Sequence, residues 1–133
     1  LTTAMIDIDH FKAVNDTYGH AGGDIALQNM AALMTDMLGD MEVVARFGGE
    51  EFCAFGVGLG RDRAVEIFED LRRAVEASVS VFDDQEIRVT ISVGLTFSAC
   101  GSLDGAINKA DELMYLAKDR GRNRVLVQPE KGS

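Results

Sequence analysis

The chain is short of positive charge: 13 Lys and Arg stand against 22 Asp and Glu, a formal net charge of −9 at pH 7. That balance argues against a broad electrostatic surface for nucleic acid or for an anionic membrane. Long apolar runs are also missing. None approaches the ~18 residues of a membrane-spanning helix, and no signal peptide opens the chain. Only two cysteines occur, Cys53 in an expected strand and Cys100 near a strand end. Nothing in their separation suits a metal site, so they read as buried, reduced thiols of a cytosolic protein rather than as a disulfide. Internal repeats and low-complexity segments are absent. The remainder is an ordinary globular composition, 47% hydrophobic and 26% charged over 133 residues, enough for one domain with a real core.

Against that background stands Phe47-Gly48-Gly49-Glu50-Glu51-Phe52. Val43 to Ala45 before it and Phe52 to Val57 after it read as strands. Gly48 and Gly49 then make the tight turn of a β-hairpin, where glycine takes positive φ without strain. Lacking Cβ atoms, they also leave room for a ligand beside Glu50 and Glu51. Two adjacent carboxylates at a hairpin tip either face water or hold a cation. A second acidic cluster, Ile6-Asp7-Ile8-Asp9, closes an apolar run from Leu1. In a strand, Asp7 and Asp9 share one face and Ile6 and Ile8 the other. If that strand lies beside the hairpin, Asp7 and Glu50 converge on one metal. Hard oxygen ligands of this kind suit Mg²⁺, whose other positions go to water and substrate phosphates. Phosphoryl chemistry is the leading class.

In chain order, Leu1 to Ile8 reads as a central strand with no preceding cap, as in a piece of a longer protein. Phe11 to Tyr18 is a short helical segment ended by Gly19, and Gly22-Gly23 breaks the chain again. A longer helix follows from Asp24 to Gly39, with Leu27, Met30, Ala31, Met34 and Leu38 at helical spacing. Met41 to Arg46 and Glu51 to Val57 form the hairpin. A third helix spans Arg61 to Ala77, its Glu69, Asp70, Arg72 and Arg73 a solvated outer face. Ile87 to Leu95 alternates apolar and polar residues as one period-two strand. Ser102 caps a fourth helix, Arg124 to Val127 is a last short strand, and 128–133 is a frayed tail. Helices alternating with strands around one antiparallel hairpin predict an α+β fold, a mixed sheet packed by helices.

These motifs, in this order, resemble the GGDEF domain of diguanylate cyclases in its GGEEF form. The hairpin carries the signature. Asp7-Ile8-Asp9-His10-Phe11-Lys12, Asn15-Asp16-Thr17-Tyr18-Gly19-His20 and Gly23-Asp24 match the family's early blocks. Ala110-Asp111, Tyr115, Ala117-Lys118 and Gly121-Arg122-Asn123 match its last helix and exit. The resemblance covers 1–127, leaving 128–133 as a tail. It implies a palm-like, ferredoxin-related nucleotidyl cyclase core with a largely antiparallel sheet and the first strand beside the hairpin. It also implies condensation of two GTP into cyclic di-GMP with release of pyrophosphate, by a homodimer of two facing domains. An upstream sensory or dimerisation region of a longer parent, a cytoplasmic location, no nucleic acid and no direct membrane contact complete the picture.

Carried over residue by residue, the resemblance makes Asp7, Glu50 and the Ile8 carbonyl the ligands of Mg²⁺, with Mn²⁺ the alternative. Glu51, of opposite strand parity to Glu50, is kept as a catalytic residue, either ligand or base. Guanine offers N–H donors at N1 and N2 that match the Asp24 carboxylate, and an O6 acceptor that matches the Asn15 amide. Asp24 equally suits a helix N-cap, and Asn15 a turn beside Gly19. Lys12, Lys118 and Arg122 are the phosphate cations, aided by backbone N–H groups around His10 and Phe11. Lys118, Arg120 and Arg122 also lie where positive charge suits a helix C-terminus. The side chains of His10 and His20 read as structural or surface groups.

Two departures stand out. Family members usually carry, before the first strand, a helix and loop with Asp-x-Leu-Thr-x-Leu-x-Asn-Arg that helps close the nucleotide site, and this chain begins after it. The Arg-x-x-Asp of the family's product-inhibition site is replaced by Gly39-Asp40-Met41-Glu42, so no inhibitory product site is expected. An alternative reading is a silent GGDEF module that binds GTP or cyclic di-GMP as a regulatory sensor. The intact Asp7, Lys12, Asn15, Asp24, Glu50 and Glu51 speak against it. Asp24 likewise speaks against a cyclase of relaxed base choice.

Overall fold

The computed structural model of the chain describes residues 1–39, 41–45, 50–97 and 103–129. The signature turn at Gly48 and Gly49, Asp40, Cys100 and the Ser102 cap lie outside the described residues. The elements are β1 (Thr2–Ile8), α1 (Phe11–Leu38), β2 (Glu42–Ala45), β3 (Glu51–Gly56), α2 (Arg61–Ala77), β4 (Ser80–Phe82), β5 (Gln85–Ile87), β6 (Ile91–Phe97), α3 (Leu103–Asp119) and β7 (Arg124–Val127).

Five strands form one sheet in the order β2-β3-β1-β6-β7. Every pair is antiparallel except β6 and β7, which run parallel. The run β1-α1-β2-β3-α2-β6 thus has ferredoxin-like connectivity, and the fold is the expected α+β arrangement of a mostly antiparallel sheet packed by helices. Strand parity decides which face each residue meets. Ala4, Ile6 and Ile8 of β1 join Phe52, Val93 and Leu95 in the main core, closed by Met30 of α1 and by Phe68 and Leu71 of α2. Met5 and Cys53 take the opposite parity and pack under Ala110 and Met114 of α3. β1 is buried along its whole length, so its one acidic residue, Asp7, is held in an enclosed setting.

α3 rests on the sheet backbone itself. A Cβ at Gly94 of β6 would lie 2.0 Å from the Ala110 carbonyl oxygen and 2.5 Å from the Met114 nitrogen. Only glycine permits that approach, and it fixes the height of α3 above β1.

Packing overrides several local expectations. α1 is continuous from Phe11 to Leu38 across a kink at Gly19, where φ 75° and ψ 171° lie in a region nearly exclusive to glycine. The break expected at Gly22-Gly23 is absent. Both glycines are buried within the helix because a Cβ would lie 2.5 Å from Tyr18 Cβ at Gly22, or 1.9 Å from Asn15 Oδ1 at Gly23. Asp24 therefore sits inside a helix, not at an N-cap. The buried face of that segment uses Ala26 with Met30, Met34 and Leu38, while Ala31 is exposed.

The expected strand from Ile87 to Leu95 is two. β4 and β5 form a separate hairpin through Asp83 and Asp84, both at positive φ (50° and 61°), a conformation that Asp tolerates and a two-residue hairpin favours. β6 starts at Ile91, and just before it the Asp9 N–H donates to the Thr90 carbonyl at 2.9 Å. Arg72 is no solvated side chain; it is 15% exposed and donates to Asn123 Oδ1 at 3.1 Å. Gln128 is pinned rather than frayed, its N–H donating to the Leu95 carbonyl at 2.8 Å and its Oε1 accepting from the Phe97 N–H at 3.0 Å.

Candidate active site

At the end of β1 the chain gathers charge. Asp7 faces α3, opposite Glu51 of β3 and Ser92 of β6 in the two ladders. From the last turn of α3, Lys118 Nζ donates to Asp7 Oδ2 at 2.7 Å. The other oxygen, Asp7 Oδ1, is buried with no hydrogen-bond partner among the described residues. Burial pushes the Asp7 carboxyl above its ordinary value; Lys118 opposes this by hydrogen bond and charge, and Asp9 and Asp111 add to it. Glu50 stands just before β3, and its carbonyl accepts from the Ile8 N–H at 3.2 Å. Its carboxyl is likewise pushed up, first by burial and then by the Asp7 charge, against a lowering by Lys118.

Strand and hairpin are therefore neighbours, the adjacency that a shared cation at Asp7 and Glu50 requires. A buried carboxylate oxygen without a partner costs free energy that a cation would offset. Among the described residues no three His, Cys, Asp or Glu side chains cluster to hold a metal. Two neighbouring carboxylates are a sparse oxygen set, of the kind that suits Mg²⁺ with its retained waters.

Asp9 follows the end of β1 at Ile8. It is 2% exposed and fully engaged: it accepts from Thr90 Oγ1 and Ser92 Oγ, each at 2.7 Å, and from the Asn123 N–H at 3.0 Å. That last bond ties the Gly121-Arg122-Asn123 exit to β1. Asn123 also binds α2, accepting from Arg72 and donating from Nδ2 to Glu76 Oε2.

Two cationic regions flank the carboxylates. α1 begins at His10, left-handed at φ 56°, with no side-chain cap and no acidic residue in the first turn. Its first N–H groups thus keep their partial positive charge. Phe11 is buried there, while His10 and Lys12 are exposed. At the other region α3 ends in a Schellman motif, the Arg122 N–H donating to the Ala117 carbonyl and the Gly121 N–H to the Lys118 carbonyl. Arg122 follows, exposed and left-handed at φ 63°.

Asn15 and Asp24, the expected guanine readers, lie on either side of the kink in α1. Asn15 is half-buried against Gly23, the neighbour of exposed Asp24, and the Phe11 ring is also close to Gly23.

The sequence alone gives no site role to Asp9, Arg72, Glu76 or Asn123, nor to Asp111 and Tyr115. Tyr115 is 53% exposed, and its phenol is pushed up chiefly by the charge of Glu51 and then by Asp111. The signal was present: Asp111, Tyr115 and Lys118 recur at helical spacing on one face of α3.

The family described as "Diguanylate cyclase, GGDEF domain" matches residues 1–124. Diguanylate cyclase A of Treponema denticola is 40% identical over 130 residues, covering 96% of this chain and 35% of the relative. Diguanylate cyclase DgcP of Pseudomonas aeruginosa is 35% identical over 128 residues, covering 96% of this chain and 19% of the relative. The chain thus spans only about a third or less of these relatives. Among solved structures, the GGDEF domain of DgcB from Caulobacter crescentus in complex with c-di-GMP superposes with a TM-score of 0.87 at 28% identity, covering 95% of this chain and 76% of that one.

Proposed function

The chain belongs to the diguanylate cyclase GGDEF domain family, and from that premise we propose that it condenses two GTP into cyclic di-GMP, releasing pyrophosphate, as one half of a homodimeric site. One observation supports this above the rest: the buried Asp7 carboxylate, one oxygen on Lys118 and the other without a partner among the described residues, beside Glu50 and across from Glu51.

In this reading Asp7, Glu50 and the Ile8 carbonyl hold Mg²⁺ or Mn²⁺, which when bound supplies neutralisation of phosphate charge and polarisation of the phosphoryl oxygen. The protein's own groups do the remaining work. Asn15 donates to guanine O6, and the Asp24 carboxylate accepts from N1–H and N2–H. Lys12, Lys118, Arg122 and the N–H groups at His10 and Phe11 hold the triphosphate. Glu51, across from Asp7 in the ladder, takes the proton of the 3′-hydroxyl as that oxygen attacks the α-phosphate of the other GTP and pyrophosphate leaves. Gly48 and Gly49 keep the tip of the signature open to the ligand.

Each domain holds one GTP, so the attacking hydroxyl comes from the facing copy, and positioning contributes most of the rate. The parent protein's upstream region brings the copies together. GTP as substrate places the reaction in the cytoplasm. Product feedback through residues 39–42 is not part of this function, since Gly39 and Glu42 stand where the family's Arg-x-x-Asp has its Arg and its Asp.

The test is incubation at high protein concentration with GTP and Mg²⁺, following pyrophosphate and cyclic di-GMP by chromatography beside Glu50→Gln. Product from the wild type alone is expected. If a version extended at its N-terminus and fused to a dimeric coiled coil also makes none while binding GTP, the cyclase reading gives way to a binding module.

A further inference from the structure

Lys118 has two anions to serve and one ammonium to serve them with. It stands 2.7 Å from Asp7 Oδ2, the two side chains only 21% and 8% exposed, while the reading above also needs it at the triphosphate. We propose that Lys118 is an internal counter-ion of Asp7 that the divalent cation displaces, and that its release toward the triphosphate couples metal binding to nucleotide binding. The inference rests on the cyclase reading of the site.

A buried carboxylate amid the charges of Glu50 and Asp111 needs a positive partner. The ammonium meets one oxygen, and Oδ1 has no partner among the described residues. A divalent ion on the same carboxylate would stand a few ångströms from the ammonium and repel it. The helix that carries Lys118 cannot come closer to the sheet, since its backbone already rests on Gly94. The exchange needs only the side chain, whose four-carbon stem can swing. Without nucleotide, the evicted ammonium finds only water. With a triphosphate present it finds an anion, so each ligand strengthens the other, and by thermodynamic necessity equally.

The probe is Mn²⁺ without nucleotide, read by electron paramagnetic resonance, on the wild type, Lys118→Met and Asp7→Asn. Lys118→Met should bind Mn²⁺ at least about fivefold more tightly than the wild type, and Asp7→Asn should lose it. Equal or weaker binding by Lys118→Met overturns the exchange. A second measurement needs no variant: the acylation rate of Lys118, followed by mass spectrometry. Mg²⁺ alone should speed it and a non-hydrolysable GTP analogue should then slow it; a rate indifferent to Mg²⁺ also overturns the exchange. If the wild type makes cyclic di-GMP while either result is negative, the exchange alone falls. If Mn²⁺ binds none of the three proteins, the metal reading of the site falls with it.

Discussion

Asp7 and Glu51 lie directly opposite each other in the β1–β3 ladder, two carboxylates on the face that α3 covers. Opposed like charges destabilise a strand pair, and burial adds to the cost by holding the Asp7 carboxyl above its ordinary value of 3.8. The fold tolerates this at the site where charge is needed, the usual exchange of stability for function.

Asp7→Asn is therefore expected to raise the thermal midpoint at neutral pH in the presence of a chelator. A carboxyl whose folded-state pKa is raised contributes stability that is complete below its unfolded value and is lost as pH rises through the folded one. The wild type loses that contribution on the way to neutrality and the variant does not. Thermal unfolding of both proteins from about pH 4 to about pH 7 should show the gap opening as pH rises. A variant less stable than the wild type at neutral pH would mean that the Lys118 pair outweighs desolvation.

Gly19→Ala and Gly23→Ala should separate stability from base recognition. No atom lies within 4 Å of a Cβ at Gly19, so the cost there is backbone strain of about 1–3 kcal/mol, visible in urea unfolding, with GTP affinity of the folded protein preserved. A Cβ at Gly23 would fall 1.9 Å from Asn15 Oδ1 and turn that amide away. Loss of its bond to guanine predicts about tenfold weaker GTP binding, roughly 1.4 kcal/mol, and a smaller preference over ATP by calorimetric titration. Unchanged preference would remove Asn15 from base recognition.

Gly94→Ala places a Cβ against main-chain atoms of α3 that no rotamer change can move aside. The cost should exceed the roughly 1–3 kcal/mol of ordinary overpacking, and the Lys118–Asp7 ion pair should be disturbed. Denaturant unfolding of the variant checks the first part. Wild-type stability would show that α3 can rise from the sheet at little cost.

Asn123→Ala removes the side-chain links from the exit loop to Arg72 and Glu76, and puts alanine at φ 47°, where asparagine is better tolerated. A stability loss of about 1–3 kcal/mol is expected. Arg122, the preceding residue, loses its anchor, so affinity for GTP should fall while affinity for guanosine holds. Equal losses for both ligands would mean that the loop does not serve the phosphates.

How far the sequence reveals all this depends on whether the signal is local. α2 is legible to its ends, because Ala64, Phe68, Leu71 and Val75 mark one buried face between Gly60 and Ser78. The position of β1 beside the hairpin follows from the family resemblance and not from any periodicity, which carries no information about strand order. Gly22 and Gly23 read as a break, since a glycine that permits close approach looks the same in sequence as one that bends the chain. The Lys118–Asp7 pair joins opposite ends of the sequence, and its geometry depends on Gly94, which as a letter in an alternating strand predicts nothing about a helix.

Gly94 also decides which half of the molecule can drift. At Gly94 the two main chains touch with no side chain between them, so mutations accumulating under α1 and α2 can alter the larger core without changing that contact. The sheet thus has two faces of unequal plasticity: one that can be rewritten methyl by methyl, and one pinned at a single residue whose only admissible side chain is a hydrogen.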